Sequence, residues 1–183
     1  MSTITEIVGE LHTVDGVTVD AEILNPGATE EEIAQLTAVF PVDESVINFY
    51  RQHNGCRIHW KGRLRARQWG SIQFRSIENL LAENGLLVCD EMNPENSISL
   101  ITTPDGGVLL KQLDYDGHTI EPHLTFPQLL ELLKLTRGYF NWGYYCSVQL
   151  TQRDTEFLAD IEGDLTPLFP DFSCARFNEI LGQ

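Results

Sequence analysis

Residues Ala28 to Trp60, ATEEEIAQLTAVFPVDESVINFYRQHNGCRIHW, are the stretch that most constrains the fold, because each turn of chain there is marked by a residue with one structural meaning. Thr29 is suited to N-cap a helix, since its hydroxyl accepts from the free amides of the first turn. Glu32 stands three residues on, where it completes a capping box. Glu30, Glu31 and Glu32 also meet the positive end of the helix dipole. Ile33, Leu36, Val39 and Phe40 recur at helical spacing and predict one apolar stripe. Pro41 ends this helix by biasing Phe40 away from αR. Asp43 is placed to cap a second helix carrying Val46, Ile47, Phe49 and Tyr50. Asn54-Gly55 closes it, because glycine tolerates the left-handed conformation that follows a helix.

The capped acidic helix ATEEEIAQL, the proline ahead of FPVDESVINFYRQHNG and the terminal Asn54-Gly55 resemble the start of a SUKH domain. A later segment, LTFPQLLELL, resembles the closing helix of the same superfamily. That superfamily takes in fungal cell-wall-assembly regulators and bacterial immunity proteins of polymorphic toxin systems. Phe40-Pro41 stands where the family often has Leu-Pro, and the glycine run after Asn-Gly is shorter. The resemblance spans residues 28–138. It implies an α+β layout and a protein that acts by binding.

The residues taken in order predict the same architecture. Ile4, Ile7, Val8 and Leu11 share one face of a short N-terminal helix, and VTVDAEIL adds an extended piece before the breaker Asn25-Pro26-Gly27. After Gly55 the basic residues Arg57, His59, Lys61, Arg63, Arg65 and Arg67 alternate with Ile58, Trp60, Leu64 and Ala66. This period-two pattern predicts strand, either as a hairpin turning at Lys61–Arg63, with Trp60 opposite Leu64 and Ile58 opposite Ala66, or as one long bent strand. SIQFRS reads as a further strand, and SIENLLAEN as a helix capped by Ser76. Ser97–Thr102, Gly107–Leu113 and His118–Glu121, separated by turn residues, predict an antiparallel meander. Thr125 caps a helix with Pro127 in its first turn, an apolar face of Leu129, Leu130, Leu132, Leu133 and Leu135, and Gly138 at its end. The aromatic run GYFNWGYY then packs over the sheet or forms a binding platform. An acidic helix with Asp154, Glu156, Asp160, Glu162 and Asp164 on its wet side and a last helix, CARFNEIL, complete the chain. The expected organisation is an N-terminal helix and lead-in over 1–27, a SUKH-like domain over 28–138, and a helical extension over 139–183 packed on it. The expected fold is α+β: a twisted antiparallel sheet, a meander flanked by helices.

Charge limits the function classes. The 183 residues carry 27 acidic against 12 basic side chains, a formal charge of −15. Such a surface repels phosphate backbones and steers a basic protein partner; the plainer reading is solubility. Seven of the twelve basic residues fall between Arg51 and Arg75, either as a solvated strand face or as a contact surface for an acidic partner. No apolar run approaches the roughly 20 residues that cross a bilayer, and Glu6 and Glu10 interrupt any leader-like run, so the cytoplasm is the expected location.

No catalytic or cofactor pattern stands out, and neither cofactor nor metal is expected. His53, Cys56 and His59 have ligand-like spacing but straddle a helix end and a strand. Cys56, Cys89, Cys146 and Cys174 show no paired spacing and read as buried thiols. There is no GxSxG, and Asp105-Gly106-Gly107 lacks the lysine of a phosphate loop. The leading expectation is a non-enzymatic immunity protein that occludes a basic toxin, a nuclease among the candidates, with its carboxylates. The expected contact residues are the acids around the meander, Asp90, Glu91, Glu95, Asp105, Asp114, Asp116 and Glu121. Trp60, Trp69 and Trp142 are anchors where exposed and core otherwise. A regulatory scaffold of the cell-wall-assembly type is the alternative, and a ligand-binding protein or enzyme the second.

Overall fold

The computed structural model describes residues 3–65, 68–82, 87–91, 97–102, 108–113, 119–120, 123–140, 142–143 and 152–182; within 87–123 and 152–157 it describes backbone only. These residues form an α+β fold with seven helices and two antiparallel sheets. Helix α1 (Thr3–Thr13) leads into strand β1 (Val17–Leu24), followed by helices α2 (Glu30–Val39) and α3 (Glu44–Gln52). Strands β2 (Cys56–Gly62) and β3 (Trp69–Phe74) precede the short helix α4 (Ile77–Ala82). A meander follows: β4 (Leu87–Glu91), β5 (Ser97–Thr102), β6 (Val108–Leu113), β7 (Thr119–Ile120) and β8 (His123–Leu124), the last pairing back onto β6. Helices α5 (Phe126–Thr136), α6 (Gln152–Leu165) and α7 (Cys174–Leu181) complete the described chain. No described helix is long and apolar enough to cross a membrane.

The helix pair forms as its punctuation dictates. Thr29 accepts from the Glu32 amide while the Glu32 carboxylate accepts from the Thr29 amide at 2.7 Å, and Phe40 is extended ahead of Pro41. Asp43 accepts from the amides of Ser45 and Val46. Val39, placed by its spacing in the apolar stripe, is instead 59% exposed. Ile33 and Leu36 are buried and Phe40 packs against the core, while Val39, about 90° from the centre of their line, falls at its edge on the last turn. Asn54 does more than end α3. Its side chain donates to Glu32 at 2.9 Å and accepts from the Ile77 amide at 2.8 Å, so one residue ties α2, the end of α3 and the start of α4. Gly55 follows at φ +88°, and a Cβ there would press on the Ser76 amide and the Phe74 carbonyl.

The first sheet has the order β1-β2-β3. β1 pairs with the whole length of β2, so the lead-in before the helix pair supplies a full strand; one extra residue, Asp20, bulges between Val19 and Ala21. The strand after Gly55 does not turn at Lys61–Arg63. β2 runs to Gly62, and its partner is β3, with Trp60 opposite Gly70 and Ile58 opposite Ile72. The alternation at 63–65 belongs to a loop. Gln68 shapes it: the Gly62 amide donates to the Gln68 carbonyl, the Arg65 amide to the Gln68 side-chain oxygen, and the Gln68 side-chain amide to the Asp164 carbonyl. A buried amide held this way fixes the turn against the strand propensity of its neighbours.

Helix α5 sits centrally, in contact with α1, α3 and α7. Its capping box pairs Thr125 with Gln128, and Leu129, Leu132, Leu133 and Leu135 are buried. Phe49 of α3, Phe74 of β3 and Phe126 of α5 pack with ring centroids 4.5 to 6.1 Å apart, joining both helices to the sheet. The aromatic run after α5 begins by adding to the sheet: the Ser71 amide donates to the Gly138 carbonyl and the Phe140 amide to the Trp69 carbonyl, beside the Gly70–Tyr139 bridge.

Candidate interaction surfaces

The acids expected to form the contact surface divide by position. Asp90 and Glu91 lie on β4, where the backbone alone is described; Glu95, Asp105, Asp114, Asp116 and Glu121 lie outside the described residues, as do Tyr144 and Tyr145. The tryptophans are clearer. Trp60 and Trp142 are buried in the core, so neither is an anchor for a partner. Trp60 shares the inner face of β2 with Ile58, and its indole N–H donates to the Arg137 carbonyl at 2.7 Å. Trp69, on the outer face, is half-buried and packs on Phe140 at 4.7 Å, with His59 at 5.8 Å.

Two buried charges organise the corner where α5 ends, and the sequence singled out neither for this role. Arg137 takes the left-handed conformation at φ 52°, directly before Gly138 at φ +66°. Its side chain is 4% exposed and pairs with Glu10 at 2.8 Å and Asp171 at 2.9 Å, lies over the Phe169 ring, and donates to the Leu135 carbonyl. Arg137 Nε has no partner among the described residues. Asp164, expected on the wet side of α6, is buried. It accepts from the Tyr139 hydroxyl at 2.9 Å and pairs with Arg65. Its spacing from Leu158, Ile161 and Leu165 sets it at the edge of the apolar stripe, as the spacing of Val39 does in α2, and the Tyr139 and Arg65 partners are what bury it.

Two surfaces remain open to a partner. The first is the outer side of the β2–β3 hairpin, with Arg57, His59 and Lys61 on β2 and Arg63, Leu64 and Arg65 on the loop; Leu64 is 63% exposed. The Lys61 ammonium binds Asp20 at 2.8 Å, and this hydrogen bond holds the Asp20 carboxyl below its ordinary value. The second is a groove of about 760 Å³ between α1, α5 and α7. Pro127, Leu130, Leu135 and Ile180 supply its apolar lining, and Glu6, Glu131, Lys134, Asp171 and Arg176 its charged lining. Lys134 donates to Glu6 at 2.7 Å, which lowers the Glu6 pKa and raises that of Lys134.

Among the described residues the reactive side chains do not converge. Burial pushes the Cys56 thiol up to about 12 and the Cys174 thiol up to about 11, so neither supplies a thiolate near neutral pH. Cys56 faces the core while His59 faces outward beside Asp20, and His53 reaches Thr5 at 3.3 Å. Among the described residues no three His, Cys, Asp or Glu side chains are grouped to hold a metal ion. Comparison of the chain with known protein families, with curated proteins and with solved structures returns no match.

Proposed function

We propose that the chain is a non-enzymatic protein-binding domain and, most concretely, an immunity protein that covers a cognate basic toxin with its carboxylates. The observation that carries this reading is the fate of the cations. At least six of the nine Lys and Arg side chains described are ion-paired to the chain's own acids: Arg51, Lys61, Arg65, Lys134, Arg137 and Arg176. Arg51 alone engages both Glu30 and Glu44. The excess of 27 acids over 12 cations is therefore left to solvent or to a partner. Such a surface raises the on-rate for a cationic cleft and lies where nucleic-acid phosphates would lie.

The SUKH-like punctuation at Thr29–Glu32, Pro41 and Asn54-Gly55 supports the same reading, and on it the chain works in the cytoplasm. The test is co-expression with the toxin domain encoded beside its gene. Growth is expected to be rescued, and the association rate of the purified pair to fall at least about tenfold from low to high salt. Absence of rescue and of binding removes the immunity reading. A rate indifferent to salt removes charge as its mechanism.

A further inference from the structure

The two open surfaces are complementary, and we propose that the chain associates head to tail with a second copy, the β2–β3 loop of one protomer seated in the α1–α5–α7 groove of the next. This goes beyond the toxin-binding reading and does not depend on it. Leu64 is the apolar knob. The bonds of Gln68 and the Arg65–Asp164 pair fix its loop, while the Arg63 amide donates to the Gly16 carbonyl at 2.8 Å. A leucine held out between the anchored amides of Arg63 and Arg65 loses little conformational freedom on docking. The groove offers it Leu130, Leu135, Ile180 and Pro127.

Charge fits as well. Around the groove five carboxylates (Glu6, Glu10, Glu131, Asp171, Glu179) face three cations (Lys134, Arg137, Arg176), a negative surplus of two. Among the described residues of the hairpin and its flank four cations (Arg57, Lys61, Arg63, Arg65) face three carboxylates (Asp20, Asp164 and Asp15, next to the Gly16 whose carbonyl accepts from the Arg63 amide), a positive surplus of one. The surfaces also stand at opposite ends of α1: Thr3 and Glu6 line the groove, whereas the loop is bonded to Gly16 beyond the last turn. From Glu6 to the end of α1 at Thr13 is about 10 Å of helix axis, with the loop held beyond that end, so a chain does not fill its own groove. The interface is heterologous and builds a ring or an open chain of protomers. The charge of −15 opposes growth, so the assemblies are short and weakly held.

Sedimentation velocity of the full chain from about 10 μM to about 1 mM, at about 0.15 M salt, reads this directly. The mean mass of the wild type is expected to climb with concentration. Leu64→Asp removes the knob and Glu131→Arg sets a cation in the groove against Arg63; both positions are exposed, so both variants keep the fold. Each alone is expected to stay monomeric, its association constant at least about tenfold weaker. Arg63→Glu, on the same loop, repeats the Leu64→Asp result. Mixed in equal amounts, Leu64→Asp, which keeps its groove, and Glu131→Arg, which keeps its knob, form a species of two chains and nothing larger. The proposal is overturned if the wild type stays monomeric throughout, which would leave both surfaces to foreign partners. It is equally overturned if either variant associates like the wild type, or if the mixture stays monomeric.

Discussion

The α2–α3 pair and the corner at Thr136–Phe140 are both places where polar groups fix the end of a helix, and they do it by opposite means. In the helix pair the capping contacts are exposed or half-buried and short in sequence: Thr29 to Glu32, Asp43 to Ser45 and Val46. At the corner they are buried and long in sequence. Trp60 reaches the Arg137 carbonyl across 77 residues, and Arg137 reaches Glu10 across 127. Exposed caps contribute about 1 kcal/mol each, and water readily replaces them. Buried charges are cheap only while complete, because removing a partner leaves a desolvated ion. The corner should therefore fail abruptly and the helix pair gradually.

The contrast is sharpest in the double variant Glu10→Gln/Asp171→Asn, which leaves the Arg137 guanidinium buried without a carboxylate. It is expected to lose about 3–5 kcal/mol in urea denaturation. Arg137→Met should lose less than half as much, since Glu10 and Asp171, 40% and 59% exposed, rehydrate. Equal losses would break the argument for the buried cation. Gly138→Ala comes next. It sets a Cβ at φ +66° against the Ser71 carbonyl, for a loss of at least about 2 kcal/mol by the same measurement. Thr29→Ala should lose about 1 kcal/mol; if it matches Gly138→Ala, the two regions do not differ as claimed.

Two smaller effects sharpen the exposed side of the comparison. Gly9, in the middle of α1 with open space around its absent Cβ, should gain up to about 1 kcal/mol on Gly9→Ala. The remaining effect is on pH dependence. Hydrogen bonds from Arg51 hold Glu30 below the ordinary glutamate value of 4.5, and hydrogen bonds from Thr29 do the same for Glu32. A depressed carboxylate stabilises the fold above its unfolded pKa, and that contribution is lost as pH falls from about 4.5 through the folded value. Tm should drop over that acid window, and Arg51→Gln, which frees Glu30, should make the drop shallower. An unchanged slope would mean that the Arg51 pair contributes nothing.

The same distinction explains what the sequence disclosed. Caps, the proline stop and Asn54-Gly55 act over three or four residues, so their types and spacing are enough to place α2 and α3. Strands β5, β6 and β7 fall in the segments that the turn residues set apart, while the turn residues themselves lie outside the described residues. The loop at 63–65 escaped because the decisive partner of Gln68, Asp164, lies 96 residues beyond it; the alternation of Arg63 to Arg65 imitates a strand that the buried Gln68 does not permit. Asp164 was misplaced for a related reason. It was grouped with acidic neighbours by composition, and its spacing puts it only at the edge of the stripe of Leu158, Ile161 and Leu165; the partners that bury it, Arg65 and Tyr139, lie 99 and 25 residues away. Trp60 shares an alternating face with Ile58, which pointed to the core more firmly than its aromatic character pointed to a partner. The knob and groove could not be read from spacing, since α1, α5 and α7 meet only in the folded chain.

Asp20 gives the first sheet a further property. β1 ends the order β1-β2-β3, so its free side would ordinarily be a template on which a foreign backbone extends the ladder. The additional residue kinks the strand midway, and its carboxylate is anchored to Lys61, so an incoming ribbon would meet a broken hydrogen-bond register. The chain is thereby guarded against fibril-like stacking, and contacts between copies are left to side chains that can let go.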